Sequence, residues 1–239
     1  MLQGRVFITG DKHGQLRTIA RFCDKVKTTI NDTLIILGDV GLNLYGEKND
    51  CALKTYASKL PITLFCIRGN HEARPSDFSY YKLKWFDKYS CFCYWDSNYP
   101  NILFPKDGTC WINNYRCLIC GGAYSVDKEY RLENGWFWNP SEQLSEKEKT
   151  DLILSVSQSP NYNYVFSHTA PLSLEPTWLF IPSIDQSKVD KSMEKFLQNI
   201  YEKIEKTSTF KKWFFGHYHH DCSINDKTIL LYNSFIELE

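Results

Sequence analysis

Eight side chains carry the types and spacing for chemistry. Asp11 and His13 lie in "GDKHG", Asp39 in "GDVG", Asn70 and His71 in "GNHE", His168 in "SHTAP", and His217 and His219 in "GHYHHD". Carboxylates, a carboxamide and imidazoles without thiolate form a donor set that suits Zn, Fe, Ni or Mn. Seven of them (Asp11, His13, Asp39, Asn70, His168, His217 and His219) exceed what one ion takes. Two ions sharing one aspartate use that number comfortably. Two metals about 3.5–4 Å apart clamp the attacking and leaving oxygens of a phosphoryl displacement. A lone "GD" or "GNH" is weak; the weight lies in the ordered conjunction, which takes five of the six histidines.

Spacing inside the motifs points the same way. Asp11/His13 and His217/His219 are i, i+2 pairs, and on an extended segment such pairs face one side. Each pair is therefore predicted to offer two ligands to one face. His220 then points elsewhere and is expected at the surface. Glycines at 10, 14, 38, 41, 69 and 216 fit tight turns that bring backbone close to a site.

The elements that must position these residues are short apolar runs, each followed by a motif. Segments 5–10, 33–38, 62–69, 116–122, 163–168, 212–217 and 228–234 read as strands buried on both faces. Helical periodicity lies between them over 15–30 and 187–206, with a shorter stretch around Leu53, Tyr56 and Leu60. "SEQLSEKEKTDLILSVSQ" predicts a helix with its N-cap at Ser141 or Ser145. Alternation of strands and helices implies an α/β core. In open α/β sheets ligands bind at the carboxyl ends of strands, so the motifs should converge. Residues 74–115, rich in Tyr, Trp and Cys with no clear period, read as an irregular insertion near the active face, a candidate lid. The whole chain, 1–239, reads as one domain.

Composition narrows the class. The net charge is zero, with 28 basic and 28 acidic residues, and no basic stripe marks a nucleic-acid surface. Nine scattered cysteines, several inside apolar runs, read as reduced buried thiols and point to a reducing compartment. The C-x-x-C at Cys117 and Cys120 lacks a second pair, against a zinc knuckle. No stretch approaches the roughly 20 apolar residues of a membrane span, and no secretory signal is visible at the start, so a cytoplasmic location is expected.

The order GD-x-HG, GD-x-x-G, GNH-E, H, GH-x-H resembles the calcineurin-like metallophosphoesterase superfamily, from Asp11 to His219. The resemblance implies a β-sandwich flanked by helices with a two-metal site at strand ends. It also implies that Asp11, His13 and His219 bind one divalent ion, Asn70, His168 and His217 a second, and that Asp39 bridges them. A metal-activated water would attack phosphorus, and His71 would be the general acid on the leaving oxygen or a hydrogen-bond donor to the phosphoryl group. "GDVGLN" departs from the Ser/Thr phosphatase motif: Leu42 stands where a carboxylate would orient the catalytic His, and the phosphate-holding Arg is absent. "GGAYSVDKEYR" resembles a bacterial and phage-type branch. Tyr124, Arg131 and Arg68 are candidate substrate contacts, with Arg74 behind them. The function expected is a phosphomonoesterase acting on a phosphorylated small molecule, nucleotide or phosphoprotein. The alternatives are a phosphodiesterase acting on nucleotides or cyclic nucleotides, with aromatics of 74–115 stacking a base, and a non-catalytic metal-binding scaffold.

Overall fold

The computed structural model describes residues 4–44 and 46–238; residues 1–3, the head of the stretch read above for a signal, lie outside them. Chain order runs β1 (Val6–Thr9), α1 (Leu16–Val26), β2 (Thr33–Ile36), α2 (Glu47–Ser58), β3 (Thr63–Cys66), β4 (Lys82–Phe86), β5 (Cys91–Trp95), β6 (Ile102–Pro105) and β7 (Gly108–Ile112). It continues β8 (Tyr115–Cys120), α3 (Lys128–Glu133), α4 (Glu146–Gln158), β9 (Tyr164–Ser167), α5 (Ser192–Ile204), β10 (Lys212–Phe215), β11 (Cys222–Asn225), β12 (Thr228–Leu230) and β13 (Ile236–Glu237). All seven strands expected from the apolar runs form.

The strands make a seven-stranded sheet, β13-β1-β2-β3-β6-β5-β4, and a six-stranded sheet, β11-β12-β10-β9-β8-β7. Each has a parallel centre and antiparallel edges. Period-two alternation divides the core into layers. Val6, Ile8, Ile35 and Phe65 of the first sheet meet Ile119, Phe166 and Phe214 of the second in the space between sheets. The opposite face of the first sheet, with Phe7, Leu34, Ile36 and Leu64, is covered by Leu16, Ile19 and Cys23 of α1 and Ala57 of α2. Val165, Trp213 and Phe215 on the outer face of the second sheet are covered by Val156 of α4 and Met193, Leu197 and Ile200 of α5. This is the helix-flanked β-sandwich expected, and its apolar strands are buried on both faces for that reason.

Helix ends differ from the periodicity where local polar groups compete. Lys27 takes a left-handed conformation (φ 56°) and its N–H bonds Cys23 O, which stops α1 short of residue 30. The helix expected from 187 starts at Ser192. Asp185 and Asp190 accept the N–H groups of Ser187 and Ser192, local turns that break the pattern and leave Val189 extended. At α4 the cap falls on Ser145, with a full capping box to Glu148.

The reading of 74–115 as irregular is corrected. The segment holds β4, β5, β6 and β7, which extend both sheets. Its aromatics hid the alternation because β4 is an exposed edge strand with little burial contrast.

Candidate metal centre

Adjacent parallel strands explain the convergence. Asp11, Asp39 and Asn70 follow β1, β2 and β3, neighbours in one sheet; His168 and His217 follow β9 and β10, neighbours in the other. The two sheet ends are tied together. His168 Nδ1 donates to Leu37 O at 2.7 Å and His217 N–H to Asp11 Oδ1 at 3.0 Å, while Gly216 N–H, within the second sheet, donates to His168 O at 2.9 Å. The loops after β1 and β2 are zipped by Lys12 N–H and His13 N–H, both donating to Asp39 O. Two glycines are required by close approach: a Cβ at Gly38 would overlap the His168 ring, and one at Gly69 the Asp39 carboxylate.

The extended-pair expectation is corrected by the backbone. His13, Asp39, His217 and His219 all have positive φ, at 43°, 46°, 70° and 49°, and are four of the eight non-glycine residues of the described chain that do. Such conformations cost about 1–3 kcal/mol each and concentrate at functional sites. The turn at 217–219 sends the two histidines to different neighbours: the His217 ring lies 5.0 Å from His168, whereas His219 Nε2 lies 2.9 Å from His13 Nε2. His220 is exposed.

Two groups of donors result. Asp11, His13 and His219 bring ligand atoms together at the mouth; Asp11, Asp39 and His168 do so in the interior. Asp11 Oδ2 is 3.3 Å from His219 Nε2 and 3.8 Å from His13 Nε2, and Asp39 Oδ2 is 3.5 Å from His168 Nε2. Both of these buried carboxylate oxygens lack a hydrogen-bond partner among the described residues, while their sister oxygens accept the N–H groups of His217 and His71. A buried carboxylate oxygen left unpaired is costly unless a cation meets it.

Asn70 gives a second sign. Its Nδ2 donates to Ser125 Oγ at 2.8 Å, and Ser125 Oγ donates to Glu142 Oε2 at 2.5 Å, which fixes the amide with Oδ1 toward His168. With Nδ1 donating to Leu37 O, a neutral His168 presents a lone pair at Nε2, 2.7 Å from Asn70 Oδ1. Two acceptors facing each other at that distance need a proton or a metal ion shared between them. Electrostatics agree. Burial opposes charge on His168, yet Asp39 and Asp11 push its pKa up to about 9. Burial also opposes ionisation of Asp39, yet His168 holds it well below the usual carboxylate range. The cluster attracts positive charge, and its nitrogen and oxygen donors fit divalent metal ions.

A family comparison adds to this geometry. The model for calcineurin-like phosphoesterases matches residues 4–221. The chain belongs to that family. It is thus a metal-dependent phosphoester hydrolase, and family members generally bind two divalent metals. No curated protein matches the chain. No described helix is long and apolar enough to cross a membrane.

The remaining predicted residues divide. His71 lines the cleft beside Asp39 and Asn70, and its ring makes no hydrogen bond among the described residues. Leu42 is buried in the helix-side core. Tyr124 also lines the cleft. Arg68 does not: its guanidinium donates to the carbonyls of Glu142 and Gly121 and faces Asp107. Arg131 is paired with Asp127 at 2.6 Å, and Arg74 with Glu148 at 2.6 Å. Substrate contact from Arg68 is corrected to a buried structural role.

Sequence reasoning passed over several supports. Glu72, the last letter of "GNHE", accepts the N–H groups of Gly41 and Leu42; burial and the Asp39 charge push it up to about 8. Asp221, the last letter of "GHYHHD", accepts N–H groups of Tyr232, Asn233 and Ser234, and the Tyr232 ring stacks on His219 at 4.8 Å. The cleft wall from Leu179 to Lys191 was read in part as helix. An acidic residue directly after a motif was the one signal available.

Proposed function

We propose that the chain is a two-metal phosphomonoesterase in which Asp11, His13 and His219 hold one ion, Asn70, His168 and His217 hold the other, and Asp39 bridges them. The observation that carries this is the pair of buried, unpartnered oxygens, Asp11 Oδ2 and Asp39 Oδ2, each facing imidazole nitrogens. When bound, the ions supply Lewis acidity toward the phosphoryl group and activate the attacking water.

The chain's own residues do the rest. Asp11 belongs to both donor groups, and Asp39, in the interior group, holds the His71 backbone through Oδ1 at 2.9 Å. His71, at the edge of the cleft, donates a proton or hydrogen bond to the ester oxygen. Ser125 and Glu142 lock the Asn70 amide so that its oxygen faces inward. The buried, reduced cysteines favour a reducing compartment.

The monoester reading is favoured because the cavity that takes in the metal residues also takes in Phe180 and Ile184, which gives a single ester substituent a wall to meet. The test is hydrolysis of p-nitrophenyl phosphate and bis(p-nitrophenyl) phosphate side by side, with Mn²⁺ and with chelator. Mn-dependent cleavage of the monoester is expected. Preference for the diester makes the chain a phosphodiesterase, and two bound metals without cleavage of either ester would leave a metal-binding scaffold.

A further inference from the structure

We propose that the compartment beside the metal residues binds an uncharged, planar, ring-bearing leaving group of nucleoside size, so that the substrate is a nucleoside-monophosphate-like ester with a single phosphoryl group. This rests on the phosphoester reading above.

The metal residues and the compartment share one cavity of about 400 Å³. That lies within the range of small-molecule sites, which are mostly apolar with a few placed polar groups. Asp39, His71 and His217 line it together with Leu179, Phe180, Ile184 and Val189. One ligand can therefore meet the metal residues and the apolar wall together. The Phe180 ring is fixed, with Tyr218 stacked at 6.3 Å and 18° and Lys191 Nζ over the ring at 4.5 Å. Its edge is what a ligand can meet, and a planar aromatic group packs well against an aromatic edge.

Charge selects further. Lys191 is committed to Glu175 at 2.6 Å, and Arg131 to Asp127 at 2.6 Å. Asp127 and Glu194 line the cavity as well. The cationic side chains around it are thus already paired among the described residues, which disfavours a second phosphate in the leaving group. Glu194, 3% exposed, accepts from Thr169 through Oε1 while Oε2 has no partner among the described residues. Gln186 lines the same wall, and its amide makes one long bond, 3.5 Å, to Ile184 O. An unpaired carboxyl oxygen and a loosely held amide suit a ring edge bearing N–H groups. The aromatics of 74–115, once candidates for base stacking, are absent from this lining.

The test uses the full chain with Mn²⁺ and four substrates: guanosine 5′-monophosphate, adenosine 5′-monophosphate, glycerol phosphate and a phosphoserine peptide. At least one nucleotide should exceed glycerol phosphate in kcat/KM by tenfold or more. Ile184→Asp, on an exposed stretch of the wall, should raise KM for the nucleotide at least tenfold more than for glycerol phosphate. A second readout avoids the metals: guanosine or adenosine should bind the metal-free chain by calorimetry, and Ile184→Asp should weaken that binding about tenfold. Equal kcat/KM for nucleotide and glycerol phosphate, preference for the peptide, or no nucleoside binding overturns the proposal while the phosphoesterase reading stands. Nucleoside binding without hydrolysis of any ester supports the compartment and overturns the reading beneath it.

Discussion

The two halves of the proposed metal centre share imidazole and carboxylate donors, with Asn70 in the interior half, but they are not supported alike. In the interior half, His168 is wholly buried, its Nδ1 is tied to Leu37 O, and Asn70 is fixed through Ser125 to Glu142, which also accepts from Trp138. At the mouth, the His13 and His219 side chains are 31% and 47% exposed. Their ring nitrogens away from the meeting point have no hydrogen-bond partner among the described residues, and His219 rests on Tyr232 by stacking. Groups behind a ligand commonly change metal affinity by about 10–100-fold. The interior half should hold its ion more tightly, and the mouth should exchange its ion with solvent.

The largest effect is expected where the halves join. Asp39→Asn should lose both ions and bring turnover to background, checked by metal analysis of the purified protein; two retained ions would remove the bridge from the account. Next, Ser125→Ala should weaken the interior ion by about 10–100-fold and leave the mouth ion unchanged in calorimetric titration. Loss of the buried bond should also lower stability by about 1–3 kcal/mol in denaturant melts. His219→Ala should retain one ion per chain, held as tightly as the tighter ion of the parent protein. The smallest change is expected from Tyr232→Ala, less than about tenfold in affinity for the mouth ion with the interior ion untouched. An equal loss at both ions would break the comparison.

The unequal support also explains what could be read in the sequence. The eight motif residues stood out because rare residue types follow each apolar run, and those runs are apolar throughout because helices cover both outer faces. The left-handed turns at His13, Asp39, His217 and His219 were not legible: Asp and His enter that region more readily than most residues but still seldom, and no spacing marks which of them do. Ser125 and Glu142 were hidden because neither has a distinctive spacing from Asn70; contact across the fold joins them. The strands of 74–115 were missed for a different reason. The Asn113–Asn114 pair, both with positive φ between β7 and β8, was a readable two-residue hairpin turn, but the exposed β4, at the edge of the other sheet, offered no burial contrast. In 179–191, Asp185 and Asp190 carry the turn signal that outweighs the helical spacing of Val189.

The central claim is a shared two-ion centre with one tight and one exchangeable half. Its most direct test is a chelator titration of the Mn²⁺-loaded chain, counting bound metal, run beside His219→Ala. The account predicts two ions per chain released in two steps separated by at least tenfold in chelator, with His219→Ala binding one ion and showing the tighter step alone. A single step releasing both ions, or a variant that keeps the weaker step, would contradict it.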